Sequence, residues 1–495
     1  MSEQTTVRRL LVGLQAKLGA DILRTGSKGL LLLVLTRYLL APEEFGLLFF
    51  AISVLAVARL GANLGFAKST ARYVSDYMQS DESQIRHIVR TGVAYNLVAI
   101  TVVGLALAGF HREIAALLNE PALAPFLLLG PLFVMFTSLR VFARLIFQGF
   151  NEVWWSALVS TVSSVAQLAL VVGFVLLGYD AVGAFLGYIG AAALASLAGF
   201  AVLYWKFYRR LPETDAVDES LRGRILRYSF PLAGTRGAGV LTNRVDQLLI
   251  GYLLTPAAVS FYTLGKQISE FVMTPAMSLG FVVSPAYSSE KADDQLGRAS
   301  RMYEKSFENI VLLYVPAATG LVLVARPTIR FVVGQEYLGA VPVIQVLSVF
   351  VVVKSIDNIT NDGLDYLGRA RERAVVKISG AVANFVLNVL FIPVMGVVGA
   401  AVATVLTTSA VVAVNVYIIG QELEISLWAL GAATVRIAAI AAVMGGIVWA
   451  ALPFVSGIPS LLAVIAAGAI AWAVMATVGG FIDPDDVETV LANIT

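Results

Sequence analysis

Apolar runs of about 20 residues, each closed by a short polar break, recur from near residue 16 to residue 480. At 1.5 Å of helical rise per residue, such a run crosses the ~30 Å hydrocarbon core of a bilayer. The pattern therefore predicts an all-α polytopic membrane protein. The short alternating segments of a β-barrel are missing from the sequence. Fourteen transmembrane helices are expected, near 17–40, 45–66, 88–109, 122–144, 154–177, 181–205, 228–253, 257–284, 307–332, 338–362, 374–394, 396–420, 430–453 and 458–480. Several breaks are only a few residues long, as at Ala41-Pro42-Glu43-Glu44 and Thr255-Pro256, which leaves no room for an extramembrane domain. The longest polar loops, near 67–87, 206–227 and 285–306, fall on one side of the membrane.

The pattern also repeats. Tyr38-Leu39-Leu40-Ala41-Pro42 returns as Tyr252-Leu253-Leu254-Thr255-Pro256, and Val182-Gly183-Ala184 returns as Val398-Gly399-Ala400, at almost the same offset. The first match closes spans 1 and 7; the second opens spans 6 and 12. This predicts two pseudo-symmetric six-helix lobes, 1–210 and 211–425, with two further helices and a short cytoplasmic tail in 426–495. Six is even, so the copies share one orientation and the axis relating them runs along the membrane normal, an arrangement of transporters. The substrate site then belongs at the interface of the halves.

Composition agrees: 58% of residues are hydrophobic and 14% charged, against about 25% charged in soluble domains. With no cysteine, disulfides and thiolate metal sites are excluded, and His87 and His111 both lie near loops, which argues against histidine chemistry. No GxxxxGK[ST] loop is present, so ATP hydrolysis through a P-loop is excluded. Asp483-Pro484-Asp485 sits in a short tail with no catalytic domain. Neither an enzyme nor a nucleic-acid binder is expected, and no cofactor or metal. Lys and Arg concentrate in the breaks that are cytoplasmic if the N-terminus is inside, while the opposite loops hold only Arg112, Arg326 and Arg330. The positive-inside rule then places both termini in the cytoplasm. Scarce Lys beside Arg, with acidic clusters such as Asp293-Asp294, fits a salt-adapted source and ordinary codon bias equally well.

Nine cations interrupt the apolar runs: Arg24, Lys28, Arg37, Arg59, Arg236, Arg244, Lys266, Lys354 and Arg436. A cation at the centre of a lipid-facing helix costs about 2.5–3.5 kcal/mol, so such residues face a wet interior or a partner. Asp21, Arg24 and Lys28 share one helical face of span 1, and Arg236 and Arg244 share one face of span 7, near Asn243 and Asp246. Lys266 and Glu270 are four apart on span 8. Two readings stand side by side. Asp21–Arg24, Arg244–Asp246 and Lys266–Glu270 can be ion pairs that knit helices. Alternatively, Arg24, Lys28, Arg59, Arg236, Arg244 and Lys266 line a cavity for an anion. Six cations against Asp21, Asp246 and Glu270 leave positive charge over, which favours a phosphate or diphosphate ligand. Lys354, Asp357, Asn358, Asn361, Asp362 and Asp365 cluster at the end of span 10. Asp357 and Asn361 are candidate sugar or coupling-ion contacts, as are Asp21, Asn243, Asp246 and Glu270, but Lys354 paired with Asp357 at a hydrated end is the preferred reading.

Four stretches carry a resemblance to a known family. They are Leu35-Thr36-Arg37 through Pro42-Glu43-Glu44-Phe45-Gly46; Leu64-Gly65 through Ala71-Arg72-Tyr73-Val74 to Tyr77; Tyr228-Ser229-Phe230-Pro231 with Asp246-Gln247-Leu248-Leu249-Ile250-Gly251; and Asn384 to Asn388 with Pro393 to Thr404. Together they resemble the polysaccharide-biosynthesis flippases of the multidrug/oligosaccharidyl-lipid/polysaccharide exporter superfamily. One departure is Val259-Ser260-Phe261-Tyr262, where the family has a glycine. The resemblance implies a fourteen-helix, two-lobed carrier that moves a lipid-linked oligosaccharide, on a polyprenyl or dolichyl phosphate or diphosphate, from the cytoplasmic to the outer leaflet of the cell membrane. It implies a cationic cavity lined by spans 1, 2, 7 and 8 that takes the phosphate, drive from the membrane potential or from H⁺ or Na⁺, and partners among membrane lipids and the glycosyltransferases, polymerase or oligosaccharyltransferase of the same pathway. The alternatives are a multidrug/toxin extrusion antiporter of the same superfamily and a membrane scaffold for glycan assembly.

Overall fold

Each predicted break is a place where the backbone must stop one helix and start the next, and the breaks organise the structure. A computed structural model describes residues 19, 23–213, 218–292, 296–423 and 425–481; within the helices, some side chains, mainly in 275–296, lie outside the description. Among the described residues every regular element is helical. We number the α-helices α1 (23–34, continued by a π-helical turn Leu35–Leu39), α2 (Pro42–Asn63), α3 (Phe66–Ser80), α4 (Ile85–Leu117), α5 (Ala124–Gly149), α6 (Val153–Phe174), α7 (Asp180–Val202), α8 (Ser220–Leu253), α9 (Pro256–Ala292), α10 (Leu296–Thr328), α11 (Val341–Tyr366), α12 (Ala370–Met395), α13 (Val397–Glu422), α14 (Leu427–Ala451) and α15 (Ile458–Val478).

Among the described residues, ten helical segments are long and apolar enough to cross a membrane, and one of them, Val153–Arg210, runs through both α6 and α7. The expected count of fourteen is not reached on that criterion. Of the remaining long helices, α8 is held back by polar and charged residues such as Arg244 and Asp246, whereas α1 has too few described residues to qualify and much of α9 lies outside the described side chains. Two further differences have one cause. The loop expected near 67–87 contains α3, and the loop expected near 285–306 is taken up by the ends of α9 and α10. Hydropathy measures the thickness of the bilayer, not the length of a helix, so helical ends in the aqueous layer are invisible to it. The residues α3 buries, among them Phe66, Ala67, Thr70, Ala71 and Val74, fall at helical spacing on one face.

By contact the chain divides into two compact units, Met1–Val259 and Ser260–Thr495. This is a division of packing, and it falls later than the repeat boundary at 210/211: α8 packs against α2 and α3 within the first unit. The repeat is visible in local geometry. Pro42 opens α2 at the first helical position, where its missing N–H costs nothing, and the Glu44 carboxylate accepts from the Ala41 N–H at 3.1 Å. Pro256 opens α9 in the same way, with Thr255 Oγ1 accepting from the Ala258 N–H at 3.3 Å. Gly183 and Gly399 each pass so close to the preceding helix, at the carbonyls of Phe174 and Phe391, that a Cβ would clash.

The first unit has an apolar core where α3, α4, α5 and α8 meet, built on residues such as Val74, Ile88, Phe142, Phe147 and Ile225. Polar contacts close its rim: Arg224 donates to the Tyr77 hydroxyl and to Asp218, both at 2.6 Å, and Arg86 pairs with Glu213. In the second unit α11 and α12 pack on α13, and α10 packs on α11 and α14. The two added helices are thereby anchored, with Trp472 Nε1 on α15 donating to the Leu312 carbonyl of α10 at 3.0 Å.

Candidate cation-lined site

Within the first unit, α1, α5 and α6 enclose a cavity of about 210 Å³. Each helix presents residues at helical spacing, so each contributes one face. From α1 come Arg24, Ser27, Lys28 and Leu31; from α5, Arg140 and Arg144. The third wall is a polar stripe on α6: Ser160, Ser163, Ser164 and Gln167. Four cations line the space, and none of the described lining residues is a carboxylate. Arg140 Nε is buried and makes no hydrogen bond, and the charges acting on Arg140 are those of Arg59, Arg144 and Arg24, all of its own sign. Like charges gathered in a low-dielectric interior repel, and an anion entering between them relieves that repulsion.

The sequence-predicted residues fall into four groups. Arg24 and Lys28 face the cavity. Arg59 on α2 and Arg244 on α8 lie close enough for their charges to interact, and Arg59 also acts on Arg140. Arg244 Nη1 donates to Gln247 Oε1 at 2.8 Å, and the same oxygen accepts from Ser53 Oγ at 2.7 Å, which ties α8 to α2. Asp246 is buried and Asn243 exposed on α8. Lys266, half-buried, and Glu270, exposed, belong to the second unit. Asp21 and the side chain of Arg236 lie outside the described residues. At the end of α11, Lys354 Nζ donates to Asp357 Oδ2 at 2.5 Å, the pairing preferred from sequence; Asn361 is half-buried beside it.

The cavity walls differ from the expected set. Among the described lining residues, those of the expected spans 1, 2, 7 and 8 come from span 1, as α1. Arg140 and Arg144 fall inside the expected span 122–144 but close to its end, and they were not counted among the cations that interrupt the apolar runs. Their spacing of four, inside a helix that continues to Gly149, was the available signal. The serine stripe was missed because serine barely lowers the hydropathy of α6, although Ser156, Ser160, Ser163, Ser164 and Gln167 keep helical period.

A family model described as "Polysaccharide biosynthesis protein" matches residues 23–289, and a second, described as "MatE", matches residues 231–390. Among curated proteins, the chain is 21% identical over 371 residues to the "Probable low-salt glycan biosynthesis flippase Agl15" of Haloferax volcanii, covering 74% of this chain and 75% of that one. It is 27% identical over 319 residues to the "Probable flippase AglR" of the same organism, covering 62% and 63%. Among solved structures, the lipid II flippase MurJ in an inward closed conformation superimposes with a TM-score of 0.76 over 94% of this chain and 98% of that one; at 15% identity, this establishes a shared fold.

Proposed function

Because the chain belongs to the polysaccharide biosynthesis protein family, we propose that it is a flippase for a lipid-linked oligosaccharide, working by alternating access to serve cell-surface polysaccharide or N-glycan assembly. Its place is the cell membrane, with both termini in the cytoplasm. The carrier is a polyprenyl or dolichyl phosphate or diphosphate. The observation that carries this reading is the cavity lined by Arg24, Lys28, Arg140 and Arg144, with no described carboxylate in its walls. The lipid tail stays in the bilayer while the phosphate enters among these cations; Arg59, whose charge acts on Arg140, and Arg244, whose charge acts on Arg59, add to the positive charge within the same unit. No covalent step is needed. With the cell interior negative, each negative charge carried outward gains about 2.3 kcal/mol per 100 mV, so the membrane potential can set the direction without a cofactor. The glycosyltransferases that build the glycan and the polymerase or oligosaccharyltransferase that consumes it are the partners.

The antiporter reading, which the "MatE" match over 231–390 raises, needs carboxylates facing the substrate; a cation-lined cavity repels a cationic drug. The test is the lipid-linked oligosaccharide pool of a deletion strain, measured by mass spectrometry with its leaflet assigned by lectin accessibility. Complete glycan-lipid accumulating on the inner face, with surface glycan lost, is the expected result. A normal pool and normal surface glycan would overturn the reading. Restoration of flipping by a folded protein with Arg24 and Arg59 both reversed to Glu would overturn the cavity's part in it.

A further inference from the structure

The α6 wall of the cavity has so far been given no task, and its chemistry differs from that of the other two. Ser160 Oγ donates to the Ser156 carbonyl at 3.1 Å, and Ser164 Oγ donates to the Ser160 carbonyl at 3.0 Å. Each hydroxyl proton is thus spent on the carbonyl four residues back, a bond serine makes readily inside a helix. What remains for the cavity is the lone pairs of the hydroxyl oxygens. At the end of the stripe, the Gln167 side chain is held by a hydrogen bond with the Tyr188 hydroxyl of α7. The opposite walls offer the reverse: Arg24, Arg140 and Arg144 guanidinium groups and the Lys28 ammonium are donors only. The cavity is therefore polarised, with positive charge on α1 and α5 and, on α6, the hydroxyl oxygens of Ser160 and Ser164 left to accept.

A phosphate oxygen accepts and cannot donate, so Ser160 and Ser164 offer it little, while α1 and α5 offer it charged donors. A sugar hydroxyl or N-acetyl N–H donates, and it finds acceptors on α6. We propose that this cavity binds a glycosyl phosphate in one fixed orientation, its phosphate against α1 and α5 and its phosphate-linked sugar against Ser160 and Ser164. The proposal rests on the flippase reading and adds to it that the carrier reads the first sugar. The size agrees: a cavity of about 210 Å³ is far smaller than a glycan of several sugars, so only the phosphate and the sugar next to it can enter.

The test is binding to the purified full-length protein in nanodiscs, by calorimetry, with four probes: inorganic phosphate, a hexose 1-phosphate, the free hexose, and the same hexose 1-phosphate esterified to a ten-carbon prenyl chain. The hexose 1-phosphate is expected to bind about tenfold tighter than phosphate, the effect of one or two added neutral hydrogen bonds, and the free hexose not measurably. Ser160→Ala with Ser164→Ala should remove that preference and leave phosphate affinity unchanged, while Arg140→Gln should weaken both phosphate probes together. On the unaltered protein, a series of deoxyhexose 1-phosphates should lose the preference at one or two hydroxyls, which keeps the test alive if the serine variants fail to fold. Equal affinity for phosphate and hexose 1-phosphate, or a serine variant that weakens both alike, overturns the proposal. Tighter binding of the prenyl ester assigns the site to a lipid headgroup; equal binding of the ester and the free hexose 1-phosphate overturns that assignment in favour of a soluble sugar phosphate. If phosphate binds and Arg140→Gln weakens it while the sugar adds nothing, the orientation fails and the flippase reading stands. If no phosphate probe binds at all, both fail.

Discussion

α6 and α12 hold matching places in the two repeats, and they have been put to different uses. Both end in a turn whose carbonyl, at Phe174 or Phe391, meets a glycine of the next helix, and these two phenylalanines are 217 positions apart. A carboxamide stands on each helix, Gln167 on α6 and Asn384 on α12. In α6 it lines a cavity; in α12 it is buried, with Asn384 Nδ2 donating to Thr407 Oγ1 at 3.3 Å and Asn388 Nδ2 donating to Asn384 Oδ1 at 3.1 Å. Charge divides the same way. Arg140 and Arg144 of α5 crowd together with Arg24, whereas Lys354 of α11 is matched with Asp357. The two turns share their geometry, where backbone meets backbone, and the side chains around them differ.

The contrast can be attacked where it is strongest. Arg140→Glu places a carboxylate among like-charged neighbours and against the incoming phosphate; flux of lipid-linked glycan in proteoliposomes should fall about a hundredfold or more. Replacing Lys354 and Asp357 together by Met and Leu should leave flux within a few-fold, because a paired charge exchanged for apolar groups of like size is close to neutral. If the two variants lose flux equally, the charges of the second unit also serve the substrate. Next in size are Gly183→Ala and Gly399→Ala. Each forces a methyl group against a backbone carbonyl, and each should cost about 1–3 kcal/mol in detergent unfolding experiments. Similar losses sustain the equivalence of the two hairpins, and a loss at one alone breaks it. Asp357→Leu by itself strands Lys354, with a cost of about 1–2 kcal/mol because Lys354 is partly exposed.

The smallest effect is at the aqueous rim. The Ser220 hydroxyl, and then the Arg224 guanidinium, hold the Asp218 carboxyl below its ordinary value of 3.8. A lowered carboxylate stabilises the fold above its unfolded-state value, and that contribution is lost as pH falls through the folded one. Asp218→Asn should therefore lower the melting temperature slightly at neutral pH, and the difference from the unaltered protein should close below about pH 4. A difference that widened on acidification would contradict the contact.

Most of the helical layout was legible because a bilayer imposes one length on every apolar run, and because Pro42 and Pro256 mark helix starts by a rule of backbone chemistry. Arg24 and Lys28 were legible as cavity residues because a cation within an apolar run requires an explanation. Arg140, Arg144 and the α6 serines were not. The arginines lie toward the end of the expected span 122–144, where a cation is read as near the membrane edge, and serine is cheap anywhere in a helix that spends its hydroxyl on its own backbone. α3 was read as loop for a related reason, since a helix with one short apolar face leaves no long run to find.

One turn carries more than its size suggests. Val153–Arg210 is a single apolar stretch of 58 residues, broken only at the bend where Gly178 takes φ +86° and Asp180 φ +45°. Run straight as one helix, it would measure about 87 Å, nearly three times the ~30 Å hydrocarbon core. Gly178-Tyr179-Asp180 is all that separates its two apolar runs, and the bend made there turns it into two crossings in place of one. An error there would cost a whole crossing, and every helix from α8 onward would enter the membrane upside down.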